Sequence, residues 1–433
     1  MPSKGKPSPR FGLLAAGAAA VLGLSGCQAP QDSSTLTWYI NPDNGGQAAL
    51  AEKCTEEAAG EYTISTSVLP NDAASQREQL IRRLASQDDS IDIMSLDTVY
   101  VPEFANADYL APVPQEYVES FTKDVVEAAV ESSYWEDELV AAPIQANTQI
   151  LWYRKSVAEA AGLDMSGQVT WDQLIEAARD QDKEIGVHGI RAESLTVWVN
   201  ALIESQNEQI VRTPEADPEN TELGIDSPAG TRAAEIVSTI GKEGLAGPSF
   251  SNLDENGAML RFQSDNGGFM VNWPFVYSAM AAAVEDGSLD QEVFDDVGWT
   301  TYPSVEEGTP GAAPFGGVKL AVGAFSANPE AAFAAIDCIR QPENQAQYFV
   351  TDGLPPATRA AFDDPAVKEE LPYSQTILDS LENAASRPVS PYYNTITGGI
   401  QRTWHPPESV NPETTPAESS QLIIDILQGE ALL

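Results

Sequence analysis

The sequence predicts an α/β protein of two domains, and three observations lead to this prediction. Short strand-like runs alternate along the chain with longer helix-like segments, a pattern typical of sheets covered by helices on both faces. About 400 residues follow an N-terminal targeting segment, which is more than one ordinary hydrophobic core contains. No internal repeat and no long low-complexity linker interrupts the alternation.

The individual elements follow from apolar periodicity and from helix start signals. Strands are predicted at 36–40, 63–69, 91–96, 139–144, 149–153, 268–272 and 317–323. Helices are predicted at 47–59, 73–87, 171–179, 229–242, 255–263 and 328–341. The last helix opens with Asn328-Pro329-Glu330, where asparagine can cap the helix and proline suits its first position. The proline-rich segment 405–416 is predicted to be a loop.

The N-terminus has the composition of a secretory signal. A basic start is followed by an almost uninterrupted apolar run over 11–24 and then by a polar chain. Because a membrane span needs about 20 apolar residues, this run is too short to cross a bilayer comfortably. Residues 1–26 are therefore predicted to be a signal peptide.

The signal ends in Leu24-Ser25-Gly26-Cys27, which looks like a bacterial lipobox. In such a sequence a lipid is attached to the cysteine and the chain is cut just before it. Cys27 is accordingly predicted to anchor the protein to the outer face of the membrane, with 27–35 as a tether. The alternative is an ordinary cleavage site with an incidental cysteine.

The charge disfavours some classes of partner. Lys and Arg number 23 against 65 Asp and Glu, a formal net charge of −42. Nucleic acids and anionic lipid surfaces are disfavoured, because both bind through basic clusters. The simplest interpretation of the acidity is a well-solvated surface.

Motifs for catalysis are mostly absent. The only histidines, His188 and His405, belong to no recognisable zinc-protease or Ser-His-Asp pattern, and the sequence has no P-loop, GxGxxG or CxxC. Metal and nucleophilic catalysis are therefore poorly supported, and we expect neither a cofactor nor a metal. A pair of carboxylates could still serve a glycoside hydrolase, so this alternative stays open.

Several aromatic-polar clusters, which we place at strand ends and loops, carry more information. They are WYINPDNGG (38–46), IMSLDTVY (93–100), QANTQILWYR (145–154), ESLTVWVN (193–200), VNWPF (271–275) and FGGVKLAV (315–322). In order and spacing, across most of the chain, these segments resemble the extracellular sugar-binding lipoproteins of ABC importers. Within that family they are most similar to the actinobacterial trehalose-binding lipoproteins. Maltose- and maltodextrin-binding proteins share much of the same sequence pattern.

The resemblance implies a type II periplasmic-binding-protein fold, in which two α/β lobes are joined by three crossings around a ligand cleft. The crossings would fall near Ile144, Phe315 and Ala360. The lobes would comprise 36–144 plus 316–360, and 145–315 plus 361–433. The first lobe would then contain both remaining cysteines, Cys54 and Cys338, which favours a disulfide over two buried thiols in an extracytoplasmic protein.

The resemblance also implies which residues bind a sugar. Trp273 would cover the apolar face of a glucose ring, while carboxylates and amides would bind pairs of hydroxyls. Asp97 and Asn147 would hold one ring, with Asn44 and the adjacent Asp43 contributing from the first loop. Further contacts are expected from Glu255, Glu193, Trp198, Arg77 and Gln76. Gly316 and Gly317 would let the backbone approach the sugar closely.

Each of these residues also has a purely structural interpretation. Asp97 can cap the helix after its strand, Trp273 can belong to the core, and Asn147 can stabilise a turn. Glu255 and Arg77 can be solvated charges on helices, and the two glycines can form a hinge. One position departs from the family: relatives supply an arginine from the C-terminal region, where an ungapped match places Gly399, with Gln401 or Arg402 as substitutes after a local shift.

Two functions from different classes follow. The first is a monomeric, non-catalytic lipoprotein that delivers a disaccharide, trehalose or another α-glucoside, to permease subunits and through them to a cytoplasmic ATPase. The second is a cell-surface glycoside hydrolase.

Overall fold

The protein is described by a computed structural model over residues 34–214 and 217–433. The signal peptide, Cys27 and nearly all of the tether lie outside the described residues, so these predictions are not addressed by the structure. Within the described ranges no helix is both long and apolar enough to cross a membrane.

The strands, in chain order, are β1 (Ser34–Ile40), β2 (Tyr62–Val68), β3 (Ile93–Asp97), β4 (Tyr134–Trp135), β5 (Glu138–Leu139), β6 (Ala142–Pro143), β7 (Asn147–Thr148), β8 (Ile150–Arg154), β9 (Glu184–Gly186), β10 (Gly267–Asn272), β11 (Val297–Thr300), β12 (Pro314–Gly316), β13 (Val318–Val322) and β14 (Ala385–Ser386).

The α-helices are α1 (Gly46–Glu57), α2 (Ala73–Ala85), α3 (Val101–Asn106), α4 (Gln115–Thr122), α5 (Glu127–Glu131), α6 (Lys155–Ala161), α7 (Trp171–Gln181), α8 (Glu193–Glu204), α9 (Pro228–Lys242), α10 (Glu255–Gln263), α11 (Phe275–Glu285), α12 (Gln291–Asp295), α13 (Pro329–Ile339), α14 (Pro342–Asp352), α15 (Arg359–Phe362), α16 (Pro365–Glu370), α17 (Ser374–Leu381), α18 (Tyr393–Trp404) and α19 (Thr415–Leu427). Short 3₁₀ turns occupy Thr98–Tyr100, Phe250–Asn252 and Pro407–Ser409.

The first lobe is built on a five-stranded sheet with the order β2-β1-β3-β13-β6. Strand β1 is parallel to both β2 and β3, whereas β13 is antiparallel to β3 and β6. Side chains along each strand alternate between two hydrophobic clusters: Leu36, Trp38 and Ile40 lie on one face of the sheet and Tyr39 on the other. The sheet is thus buried on both faces.

The second lobe is built on a four-stranded sheet with the order β11-β8-β10-β9. Here too the strand residues alternate, since Leu151 packs into one cluster and Ile150 and Trp152 into the other. The structure therefore confirms a mixed α/β fold of two lobes, each with a doubly covered sheet.

A third, three-stranded sheet with the order β14-β12-β7 lies where the chain passes between the lobes. The chain runs from β12 in this sheet through Gly317 directly into β13 of the first lobe. Helix α14 packs partly with the second lobe, because its Ala346 and Phe349 share a cluster with Trp152. The exact lobe boundaries, including the crossing near Ala360, stay predictions.

The predicted disulfide is present. The Sγ atoms of Cys54 in α1 and Cys338 in α13 are 2.04 Å apart and join positions separated by 284 residues. The bond ties the first helix of the first lobe to the segment with which the chain returns to that lobe.

Three local predictions need correction. The run 139–144 is not one strand, because β5 pairs with β4 while β6 pairs with β13, so one apolar run serves two sheets. Asn328 occupies the cap position of α13, but its side chain makes no capping hydrogen bond. The segment 193–200 is neither a strand end nor a loop but the body of α8.

Candidate ligand-binding cavity

A cavity of about 300 Å³ lies between the two lobes, beside the three-stranded sheet. Seven of the twelve predicted ligand residues line it, namely Asp97, Asn147, Glu193, Glu255, Trp273, Gly316 and Gly317. The remaining lining residues are Gln145, Val197, Phe275, Val318, Leu354 and Arg387. The predicted residues thus come together, although their roles in binding stay predictions.

Strand pairing brings the two lobes' contributions to one place. Asp97 ends β3 opposite Val318 of β13, and the amide of Thr98 donates to the carbonyl of Gly317 over 3.2 Å. Asn147 of β7 pairs with Gly316 of β12. Because β12 and β13 are consecutive, Asp97 and Asn147 are held on either side of the same Gly316-Gly317 step.

The two glycines are needed where they are. Gly317 has a φ of +122°, a conformation that L side chains rarely adopt, and a Cβ there would lie 2.4 Å from the carbonyl oxygen of Gln145. A Cβ on Gly316 would lie 3.1 Å from Cη2 of Trp273. Gly316 thus lets the indole lie against the backbone, and Gly317 shapes the crossing itself.

Trp273 and Glu255 are positioned together by a buried asparagine. Asn272, the last residue of β10, accepts from the Trp273 amide over 2.9 Å and donates from Nδ2 to the Glu255 carbonyl over 2.8 Å. Helix α10 begins at Glu255 and is capped by Asp254, whose Oδ1 accepts from the Gly257 amide. Trp273 is half-buried, so it is not simply a core residue.

A buried arginine joins two carboxylate side chains across the cavity. Arg387 Nη2 donates to Asp97 Oδ1 over 2.6 Å, and Nη1 donates to Glu193 Oε1. The Arg387 side chain is only 3 % exposed, against 23 % for Asp97 and 31 % for Glu193. One guanidinium thus partly neutralises two carboxylates that come from different lobes.

This bridge leaves polar atoms available for a ligand. Asp97 Oδ1 also caps the following 3₁₀ turn by accepting from the Val99 amide, so the expected capping role is real but uses one oxygen. Among the described residues, Asp97 Oδ2, Glu193 Oε2 and Asn147 Nδ2 have no hydrogen-bond partner. The cavity therefore presents a carboxylate oxygen from each lobe and a free amide group.

The carboxyl group of Glu255 has a raised pKa. Burial raises the pKa of the Glu255 carboxyl to about 7, and the nearby negative charge of Glu193 adds to this shift. Near neutral pH the group is thus partly protonated and can donate as well as accept a hydrogen bond.

Three predicted ligand residues lie outside the cavity. Both carboxylate oxygens of Asp43 accept hydrogen bonds at the start of α1, from the amides of Gly45 and Gln47. The Asn44 amide donates to Asp352 over 2.6 Å. Arg77 forms a two-bond ion pair with Glu103. The side chains of Asp43 and Arg77 thus have structural partners, and Asn44 is held through its backbone amide.

Gln76 and Trp198, which were also expected to contact the sugar, have structural partners as well. The Gln76 side chain donates to the Pro70 carbonyl over 2.8 Å. Trp198 is fully buried in the second lobe, where it packs against Trp171 and Phe250. Neither side chain lines the cavity.

The cavity contains an arginine, but not at a position that the sequence comparison predicted. Arg402 donates to the Leu432 carbonyl over 2.8 Å, and Gln401 donates to Thr397. Gly399 packs against Ile423 inside the second lobe. The arginine that lines the cavity is Arg387, twelve positions before Gly399 in the sequence. Its flanking residues, Ser386 and Pro388, carry no periodic signal that would have marked it.

A second, larger cavity of about 410 Å³ adjoins the first. Of the residues that line the first cavity, only Arg387 also lines the second. Its walls include the aliphatic Val99, Val211 and Val389. The smaller cavity is the candidate ligand site, because carboxylates, an amide and an indole face converge there. No cluster of three or more metal-binding side chains occurs among the residues that the structure describes.

Comparison with known proteins identifies the family of this chain. The family model for bacterial extracellular solute-binding proteins matches residues 41–346. A probable ABC transporter-binding protein of Deinococcus radiodurans is 24 % identical over 395 residues, covering 88 % of this chain and 89 % of the relative. A mannitol-binding protein of Pseudomonas aeruginosa is 24 % identical over 372 residues, covering 81 % of this chain and 80 % of the relative.

Solved structures share the two-lobed architecture. Maltose-bound MalE3 of T. maritima superposes with a TM-score of 0.76 at 22 % identity. The match covers 92 % of this chain and 100 % of the MalE3 chain. The cyclic α-maltosyl-1,6-maltose-binding protein of Arthrobacter globiformis superposes with a TM-score of 0.72 at 19 % identity, covering 92 % and 100 % of the two chains. At these identities the likeness establishes the fold.

Proposed function

Because this chain belongs to the bacterial extracellular solute-binding proteins, we propose that it captures a sugar outside the membrane and delivers it to the permease of an ABC importer. One observation carries the proposal: a half-buried tryptophan face and partner-free polar atoms from both lobes meet in one cavity between those lobes. Sugars need this combination, since each ring has an apolar face and adjacent hydroxyls that both donate and accept.

We propose a disaccharide as the ligand, with trehalose as the first candidate and maltose or a maltodextrin as the second. A cavity of about 300 Å³ is at the small end of the range of small-molecule sites, which favours a short ligand. Two of the structural relatives are named for α-glucosides. Trehalose itself rests on the sequence resemblance alone.

The proposed contacts divide between the lobes. Trp273 would stack on a glucose ring, with Asn147 Nδ2 and the free oxygens of Asp97 and Glu193 bonding its hydroxyls. Arg387 would orient both carboxylates. Because the ligand touches groups from both lobes at once, binding favours the arrangement in which the lobes are close together.

We further propose that Cys27 carries a lipid and holds a monomeric protein at the outer face of the membrane. The permease subunits and their cytoplasmic ATPase are then the partners. Cys27→Ala is expected to abolish lipid labelling and to release the protein into the medium. Retention at the membrane without label would indicate an uncleaved signal helix instead.

A thermal-shift screen of trehalose, maltose, maltotriose and sucrose tests the choice of ligand. A sugar that binds only the folded protein stabilises it by RT ln(1 + [L]/Kd), so the melting temperature should rise with sugar concentration. The proposal predicts the largest rise with trehalose. A rise with maltotriose alone would transfer the assignment to a maltodextrin, and none with any sugar would contradict sugar binding.

The hydrolase alternative requires a separate test. The purified protein is incubated with trehalose or maltose, and free glucose is measured. Binding without hydrolysis predicts no release. Glucose release that disappears in Glu255→Gln would support the hydrolase, because Glu255 has the raised pKa of a general acid.

A further inference from the structure

Helix α18 belongs to the second lobe except for its first residue. Ile396, Ile400 and Trp404 lie in the core cluster of that lobe. The hydroxyls of Thr397 and Thr196 are 2.7 Å apart, which fixes α18 against α8. The body of the helix is therefore anchored firmly in the second lobe.

Tyr393, the first residue of α18, lies instead in the core of the first lobe. Its ring is fully buried in the cluster formed by Leu96, Tyr100 and Phe104 among others. It meets Tyr100 edge-on, with ring centroids 5.8 Å apart and planes inclined at 77°. The neighbouring Tyr392 packs against the second lobe, so two adjacent tyrosines contribute to the cores of different lobes.

The hydroxyl of Tyr393 bonds a carboxylate that lines the candidate cavity. It donates to Glu193 Oε1 over 2.5 Å, the same oxygen that accepts from Arg387. Arg387 in turn donates to Asp97 of the first lobe. A single side chain therefore touches the core of one lobe and a proposed ligand-binding carboxylate of the other.

We propose that Tyr393 is a positioning residue that couples the ligand cavity to the arrangement of the two lobes. Its ring holds the second lobe against the first, because moving the lobes apart exposes a large apolar surface. Its hydroxyl holds Glu193 so that Oε2 stays free for a ligand. The role of the hydroxyl in ligand binding rests on the proposed function. The role of the ring in holding the lobes together does not, because it concerns the protein without ligand.

Two variants separate the ring from the hydroxyl. Tyr393→Phe keeps the ring and removes only the donor to Glu193, and Tyr393→Ala removes both. Tyr392→Phe is the matched control, because no hydrogen bond of the Tyr392 hydroxyl is found within the described residues. Melting temperatures show whether each variant folds, and Tyr393→Phe remains informative if Tyr393→Ala does not.

The two readouts are small-angle X-ray scattering without sugar and calorimetric titration with trehalose. Tyr393→Ala should have a larger radius of gyration than wild type. Tyr393→Phe should keep the wild-type radius but bind trehalose about tenfold more weakly. Tyr392→Phe should match wild type in both. An unchanged radius in folded Tyr393→Ala overturns the role of the ring, and wild-type affinity in Tyr393→Phe overturns the role of the hydroxyl.

Failure of the proposed function has a different signature. If wild type binds none of the four screened sugars, the proposed sugar ligand is contradicted. The proposed role of the Tyr393 hydroxyl in sugar binding is then contradicted as well. The scattering comparison of wild type, Tyr393→Ala and Tyr392→Phe still decides whether Tyr393 holds the lobes together.

Discussion

Arg387 donates to the Asp97 carboxylate from the opposite lobe, with Nη2 and Oδ1 2.6 Å apart and the arginine side chain almost completely buried. The two residues are 290 positions apart in the chain. Their contact is therefore a property of the folded two-lobed molecule, and it places a fixed positive charge in the wall of the cavity.

Loss of this arginine should destabilise the protein. Arg387→Met leaves two partly buried carboxylates without their cation, and breaking such a pair costs about 3 kcal/mol. A urea titration should show a lower midpoint. Arg82→Met is the control: Arg82 pairs with Glu78 where both side chains are more than half exposed, at 70 % and 63 %, so its loss should cost less than about 1 kcal/mol. Equal midpoints for the two variants would contradict a structural role for the bridge.

Asp97 and Asn147 should both be needed for affinity, and Asp97→Ala should also lower stability, because it removes one of the two carboxylates that pair with the buried Arg387. Asp97→Ala or Asn147→Ala leaves a sugar hydroxyl buried without a bond, which costs about 1–3 kcal/mol, so affinity should fall about tenfold or more. Calorimetry on each variant measures the loss. Asp43→Ala is the comparison, because Asp43 bonds the start of α1 and does not line the cavity. Wild-type affinity in both cavity variants would remove these residues from the site.

Glu255 should make stability depend on pH in a defined direction. Its pKa is about 7 in the folded protein, above the roughly 4.3 of an unfolded chain. Between these values the folded state binds more protons, so the contribution of Glu255 to stability is full below about pH 4.3 and is lost as pH rises through about 7. Glu255→Gln removes this titration. Its melting temperature relative to wild type should therefore rise from about pH 5 to about pH 8, and a constant difference would contradict the raised pKa.

The disulfide should stabilise the first lobe by restricting the unfolded chain. Cys54 and Cys338 are 284 positions apart, and removing such a bond typically costs about 2–5 kcal/mol. Cys54→Ala/Cys338→Ala should melt at a lower temperature than wild type. A reductant should lower the wild-type melting temperature towards that of the double variant and leave the variant unchanged. Two alkylatable thiols in the native protein would contradict the bond.

Local patterns in the sequence predict much of the fold because strands and helices here have distinct periodicities. The alternation in β1 and β3 follows directly from sheets with two buried faces. Helix α8 was missed because every residue from Ser194 to Ile203 is buried. A helix that is buried all round shows no apolar stripe and therefore no helical period.

The candidate site is predictable only in part. Six of its residues stand in segments that resemble a known family, Glu255 was carried over individually from the same resemblance, and the structure brings all seven to one cavity. Arg387 and Tyr393 were not predicted, because their partners Asp97 and Glu193 are distant in sequence. Asp43 and Arg77 carry the right chemistry, but nearby backbone amides and Glu103 occupy them. Sequence chemistry identifies candidate groups, and only packing decides which of them face the ligand.

The most direct test of the central claim is calorimetric titration of trehalose into wild type and Trp273→Ala, with the melting temperature of each recorded. If the cavity binds a glucose ring on the indole face, wild type should saturate at one sugar per chain. Trp273→Ala should bind at least about tenfold more weakly with little change in melting temperature, because a half-buried side chain contributes little to the core. Equal affinity in the two proteins, or weaker binding accompanied by a collapsed melting temperature, would contradict the account and return Trp273 to a structural role.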